Sequence, residues 1–128
     1  MQAARVQAVV QANPGWRLAL ESDNQDSHGV RELRSRQPRF EPYFATSDRD
    51  GIHQDVAVTL VKDTVFRVFY LRSEGGSYLP AQEVTTIDWL KEGRIELRGD
   101  TLDVAPFRSD EIFTFVWDAK SKRLELIP

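Results

Sequence analysis

Apolar residues recur along this chain at two spacings, near three to four in the first third and at two thereafter. Over residues 2–12, Val6, Val9 and Val10 fall near one side of a helix, with Ala3, Ala4, Ala8 and Ala12 as good helix formers around them. Asn13-Pro14-Gly15 stops that helix, because proline cannot continue the backbone bonding and glycine frees the turn. In residues 16–20, Trp16, Leu18 and Leu20 alternate with Arg17 and Ala19, which predicts a first strand. Residues 21–29 are polar and turn-rich and read as a loop. Residues 30–36 carry Val30, Leu33 and Arg34 at helical spacing, a short helix that must end before Pro38.

From Phe40 onward the period is two. Residues 55–62 (DVAVTLVK) place Val56, Val58 and Leu60 on one face and Ala57, Thr59 and Val61 on the other, the pattern of a strand buried on both faces. A tight connection leads to residues 64–72 (TVFRVFYLR), and the two form a central hairpin. Glu74-Gly75-Gly76-Ser77 is the next turn, followed by a strand over residues 78–90. Shorter strands are predicted at residues 94–98, 101–105, 112–117 and 123–127, joined by short turns that favour antiparallel pairing. The strand at 112–117 is apolar on both faces, and the valine stripe of the first helix is the natural cover for one of them. The expected architecture is α+β: a curled antiparallel β-meander of about six or seven strands with an N-terminal helix packed on it, one domain over residues 1–128.

Composition narrows the function classes. With 128 residues, 41% hydrophobic and 29% charged, the chain reads as a soluble domain large enough to have a core without a metal or a disulfide. It has no cysteine, which excludes thiol nucleophiles, Cys-ligated zinc and iron–sulfur clusters. No run approaches the roughly 20 apolar residues of a membrane span. The net charge of −3 hides an asymmetry, with six basic and five acidic side chains in residues 1–45 and eleven against fifteen in residues 46–128. An acidic body speaks against nucleic-acid binding. The one basic cluster, Arg31, Arg34, Arg36 and Arg39, reads as a solvated face. Residues 1–10 lack the apolar run of a secretory signal, although a periplasmic or secreted location is favoured over the cytoplasm by the resemblance described next.

Candidate chemistry concentrates in Ser47-Asp48-Arg49-Asp50-Gly51-Ile52-His53-Gln54-Asp55, directly before the strongest strand. Three carboxylates, Asp48, Asp50 and Asp55, lie within eight residues around a glycine that permits a sharp turn, a set suited to a hard cation such as calcium. Residues 47–61 resemble the aspartate-rich turn of FG-GAP and VCBS-type repeats, which runs straight into an apolar strand and occurs singly in small exported bacterial proteins. The resemblance implies Asp48, Asp50 and Asp55 as metal positions and calcium as the ion. Where the pattern has an acidic or amide residue and a second glycine, this chain has Ile52 and His53. An Asx-rich turn capping the strand, its aspartates bonding nearby amides, is the other reading of the same residues.

Elsewhere the signals are sparse. His28 and His53 are the only histidines and both fall in polar loops, and no nucleophile elbow, zinc-protease or phosphate-loop motif is present. Arg98-Gly99-Asp100 spells an adhesion tripeptide, and Gly99-Asp100 is also what a hairpin turn requires. The aromatic residues are mostly core, with Phe40, Tyr43 and Phe107 the ones least tied to a strand. Two functions are thus expected: a non-enzymatic binding or accessory module for a protein or small-molecule partner, and, as the alternative, a small metal-assisted hydrolase using the carboxylates of the 48–55 loop.

Overall fold

The computed structural model describes residues 2–49 and 51–128. Helix α1 (Gln2–Gln11) is closed at its C-terminus by the Asn13 side chain, whose Nδ2 donates to the Val9 carbonyl at 2.7 Å, and Gly15 at φ +87° turns the chain into β1 (Arg17–Leu18). Helix α2 (Ser27–Arg36) begins earlier than its apolar spacing predicts, because Asp26 caps it by accepting the Gly29 N–H at 2.8 Å. Then come β2 (Phe44–Ser47), β3 (Asp55–Lys62), β4 (Val65–Leu71), the small hairpin β5 (Ser73–Glu74) and β6 (Ser77–Tyr78), and β7 (Gln82–Ile87). A short 3-10 turn, Trp89–Glu92, leads to β8 (Gly93–Arg98), β9 (Thr101–Pro106), β10 (Phe113–Asp118) and β11 (Arg123–Leu126).

The class is α+β and the pairing is antiparallel, as expected, but the single meander of six or seven strands is not what forms. Among the described residues eleven strands make three sheets: β3 and β4 with β7 on one edge and β1 and β2 sharing the other, the four-stranded β8-β9-β10-β11, and the β5-β6 hairpin. The expected strand at 78–90 breaks at both ends. Pro80 has no N–H to offer a ladder, so β7 starts at Gln82, and the 3-10 turn carries buried Leu90 across to the second sheet.

The two larger sheets face each other across the main core. Ala57 and Val61 of β3 and Phe66, Val68 and Tyr70 of β4 pack toward Ile95, Leu102, Val104, Phe115 and Leu124. The opposite face of β3, Val56, Val58 and Leu60, packs with Val9 of α1, with Val6, Val10 and Trp16 beside it. The helix therefore lies on β3 and β4 instead of on the 112–117 segment, because β3 is the strand with a second, wholly apolar face to cover. In β10 Phe115 turns into the main core, while Phe113 leans on Trp89 with ring centres 5.8 Å apart. Val30, Leu33 and Phe40, with Phe107 against them, make a third cluster under α2.

The sheets also meet along both of their edges. On one side the Ile95 N–H donates to the Pro42 carbonyl at 3.0 Å, where the chain entering β2 meets β8. On the other, the Gln82 amide bridges β7 to β11: its Nε2 donates to the Leu124 carbonyl at 3.0 Å, and its Oε1 accepts the Leu124 N–H at 2.8 Å. Near the first edge, Asn24 Nδ2 donates to both the Tyr43 hydroxyl (3.1 Å) and the Gly93 carbonyl (2.9 Å), and the Tyr43 hydroxyl donates to the Leu90 carbonyl at 2.9 Å.

Buried Gly93 has no room for a side chain, since a Cβ there would stand 2.6 Å from the backbone oxygen of Ala105. We expect Gly93→Ala to force β8 away from β9 and to lower stability by about 1–3 kcal/mol, the range for overpacking a tight site. The urea-unfolding midpoint measures this.

Candidate functional site

Of the three aspartates in the acidic loop, two fall among the described residues, and they differ in burial. Asp48 is exposed, and Asp50 lies outside the described residues. Asp55, at the start of β3, is wholly buried. Its Oδ2 accepts from Arg49 Nε at 2.8 Å, and its Oδ1 accepts the Ser73 N–H at 2.8 Å and the Ser73 hydroxyl at 3.0 Å. Arg49 continues past Asp55 to the Ser73 carbonyl, to which its Nη2 donates at 2.5 Å. Both Asp55 oxygens thus serve to tie the loop to β5, and among the described residues no group of three or more His, Cys, Asp or Glu side chains is placed to hold a metal ion. The signal for this role is readable in hindsight: an aspartate that opens a run of six buried residues needs a buried cation or donor opposite it.

Asp100 joins this network to a second one. Its Oδ1 accepts from Arg72 Nη1 at 2.8 Å and lies 3.8 Å from Arg49 Nε. Arg72 is buried, its guanidinium carbon is 4.2 Å from the centre of the Trp117 ring, and its Nη1 also reaches the Tyr70 hydroxyl at 3.4 Å. The Arg49 guanidinium is held above its usual pKa by its hydrogen bond to Asp55. Arg98 of the adhesion-like tripeptide pairs with Asp103, and Asp100 is occupied by Arg72, so both charged groups of that tripeptide have partners within the fold. Gly99, at φ +56°, makes the turn.

The remaining candidates are dispersed. His28 lies on α2 against Glu32 at 3.3 Å, and His53 lies tilted against Tyr78, with ring centres 5.6 Å apart, while its carbonyl is 3.0 Å from the Ser73 hydroxyl oxygen. Arg34 leaves the basic cluster to pair with Glu21 at 2.5 Å and to donate to the Phe40 carbonyl at 3.0 Å from Nη2. Phe40 and Phe107 meet edge to face, with ring centres 6.3 Å apart.

Two concave sites stand out, one at each edge of the sandwich. The larger, about 820 Å³, lies where β2 and β8 meet and is lined by Phe44, Ala45 and Thr46, by Ile95 to Arg98, and by the segment from Gln37 to Glu41. The smaller, about 340 Å³, lies beside the Gln82 bridge and is lined by Arg72, Trp117, Lys122 and Arg123 among others. Neither is lined by a histidine. No single-residue motif marks either, since both are made by edges that come together only on folding. No helix among the described residues is long and apolar enough to cross a membrane. No protein-family model matches the chain, and no curated protein or solved structure is significantly similar to it.

Two expected outcomes follow from the geometry of these networks. Asp55→Asn removes the charge facing Arg49 and should cost about 3 kcal/mol, the low end for breaking a buried pair because Arg49 keeps some water contact. In wild type, millimolar calcium or a chelator should leave the melting temperature unchanged, and a calcium-dependent rise would instead give the loop the ion-binding role that its carboxylate spacing implies. The second outcome concerns alkali. Burial pushes the Tyr70 phenol from 10.0 up to about 12 and raises that of Tyr43 as well. Because the folded chain keeps protons that the unfolded chain has released, stability should be intact below about pH 10 and fall as pH rises toward 12. Tyr70→Phe should flatten that fall, as urea midpoints at pH 8 and pH 11 would register.

Proposed function

We propose that this protein is a non-enzymatic binding module whose principal ligand is an extended polypeptide segment, laid along the groove where β2 and β8 meet. The observation that carries this reading is the groove itself, onto which the outward backbone groups of Phe44 and Thr46 in β2 and the outward N–H of Leu97 in β8 are directed. In a strand, successive residues direct their N–H and C=O groups to alternate sides. The Tyr43 carbonyl accepts from Thr59 in β3, so the groups of Phe44 and Thr46 point away from β3, into the groove. The Ile95 N–H is turned away from β9 to reach Pro42, so that of Leu97 is turned the same way.

An unpaired edge next to a cavity is the usual setting for strand addition, in which main-chain bonds supply affinity and side-chain pockets supply selectivity. The side chains suit such a ligand. Ala45 and Leu97 are partly buried members of the main core, so the groove opens onto apolar surface between the sheets. Arg39 and Glu41 on one wall and Glu96 and Arg98 on the other carry mixed charge, which sets no strong preference for an acidic or basic peptide. The hydrolase reading lacks a comparable observation, since neither cavity brings a carboxylate together with a histidine.

The test uses an octapeptide alternating valine and threonine, titrated into isotopically labelled protein. The amides of Phe44, Thr46 and Leu97 should shift and exchange more slowly with solvent, while those facing β3 and β9 stay as they were. Thr46→Pro removes one outward N–H without touching the β3 ladder, and it should weaken binding at least tenfold with little change in melting temperature. Binding that leaves these three amides unchanged would sink the reading.

A further inference from the structure

The cavity at the opposite edge, beside the Gln82 bridge, has a chemistry of its own. Its innermost charged group is Arg72, whose side chain is only 9% exposed. A guanidinium carries five N–H groups on three nitrogens. Both hydrogen bonds of the Arg72 side chain leave from Nη1, to Asp100 and to the Tyr70 hydroxyl, and its Nε is buried with no hydrogen-bond partner. Trp117 covers one face of the guanidinium, so an acceptor for the remaining N–H groups has to arrive in the guanidinium plane.

The rest of the cavity matches an incoming anion. Lys122 and Arg123, from the β10–β11 turn, stand on its rim, and neither belongs to an ion pair among the described residues. No acidic side chain lines it, in a chain whose net charge is −3. Lys122 is held at φ +55°, and its N–H donates to the Asp118 carbonyl at 2.8 Å, so the turn that carries the two cations is a defined one. Leu79, Pro80 and Ala81 make an apolar wall, and Gln82 beside them has its amide committed at both ends to Leu124.

We propose that this cavity binds a small organic carboxylate. Its two oxygens face the Arg72 guanidinium, with Lys122 and Arg123 closing over them, and its aliphatic part lies along Leu79 and Pro80. Carboxylate is favoured over a neutral ligand because three cationic side chains and no acidic one line the cavity, and a planar, two-oxygen acceptor suits a guanidinium. The volume of about 340 Å³ is near the lower end of ligand pockets and suits a molecule of a few carbons. This site is separate from the β2–β8 groove, so either can fail without the other.

Hexanoate, hexanol and inorganic phosphate serve as probes, followed by the NMR signals of the Arg72 Nε–H and the Trp117 indole N–H. Hexanoate should shift both saturably, and its affinity should fall as salt is raised. Hexanol and phosphate should bind at least tenfold more weakly, the first for want of charge and the second for want of an aliphatic part. The double variant Lys122→Asn, Arg123→Gln changes two exposed residues, with asparagine accepting the positive φ, and should keep the wild-type melting temperature while losing at least tenfold in hexanoate affinity. Hexanoate binding that leaves the Arg72 signal in place, hexanol binding as well as hexanoate, phosphate binding equally, or an unaffected double variant would each overturn the proposal.

Discussion

A strand with no solvent face organises this molecule. Every residue of β3 from Asp55 to Val61 is buried, so each side of the strand requires a cover and each edge a neighbour. One side is met by the valines of α1 and the other by the second sheet. At the edges, β4 takes one whole length, while β1 and β2 divide the other between them. The chain has to supply α1, β1 and β2 before β3 and the second sheet after it. The burial also explains the treatment of Asp55, since a carboxylate at the head of such a strand is stable there only with Arg49 and Ser73 to receive it.

Much of this was legible in the sequence wherever a period persisted long enough. Residues 55–62 and 64–72 declared themselves as strands by alternation, and the short strands after residue 93 followed from turns at regular intervals. The second helix was placed too late because its beginning depends on a cap, Asp26, rather than on apolar spacing. The short strand Phe44–Ser47 has only half-buried residues and offers little contrast between its faces. What no local pattern carries is the meeting of distant edges. Gln82 and Leu124 are 42 residues apart, and Pro42 and Ile95 are 53 apart, so neither junction leaves a trace in any short window. The candidate site suffered most from this. The acids of the 48–55 loop are close in sequence and visible there, whereas both concave sites are built from residues close only in space.

The two edges of the sandwich show how a fold treats the places where sheet bonding stops. At one, a backbone bond between Ile95 and Pro42 joins the sheets, and outward main-chain groups of β2 face a cavity. At the other, a side chain substitutes for the missing ladder, and the neighbouring polar groups are arginine and lysine instead of main chain. The first arrangement offers directional main-chain bonding and the second offers charge. Recognition of different chemistries at the two edges thus follows from how each edge is closed.

The Gln82 bridge has one more consequence. Its amide reads the main chain of Leu124, an N–H and a C=O that nearly every amino acid presents in the same place. Closure of that edge therefore makes a strict chemical demand at position 82 and none, through this contact, on the identity of position 124. Such a junction is lopsided: it leaves substitutions along β11 subject only to packing, while a change at position 82 removes both of its bonds.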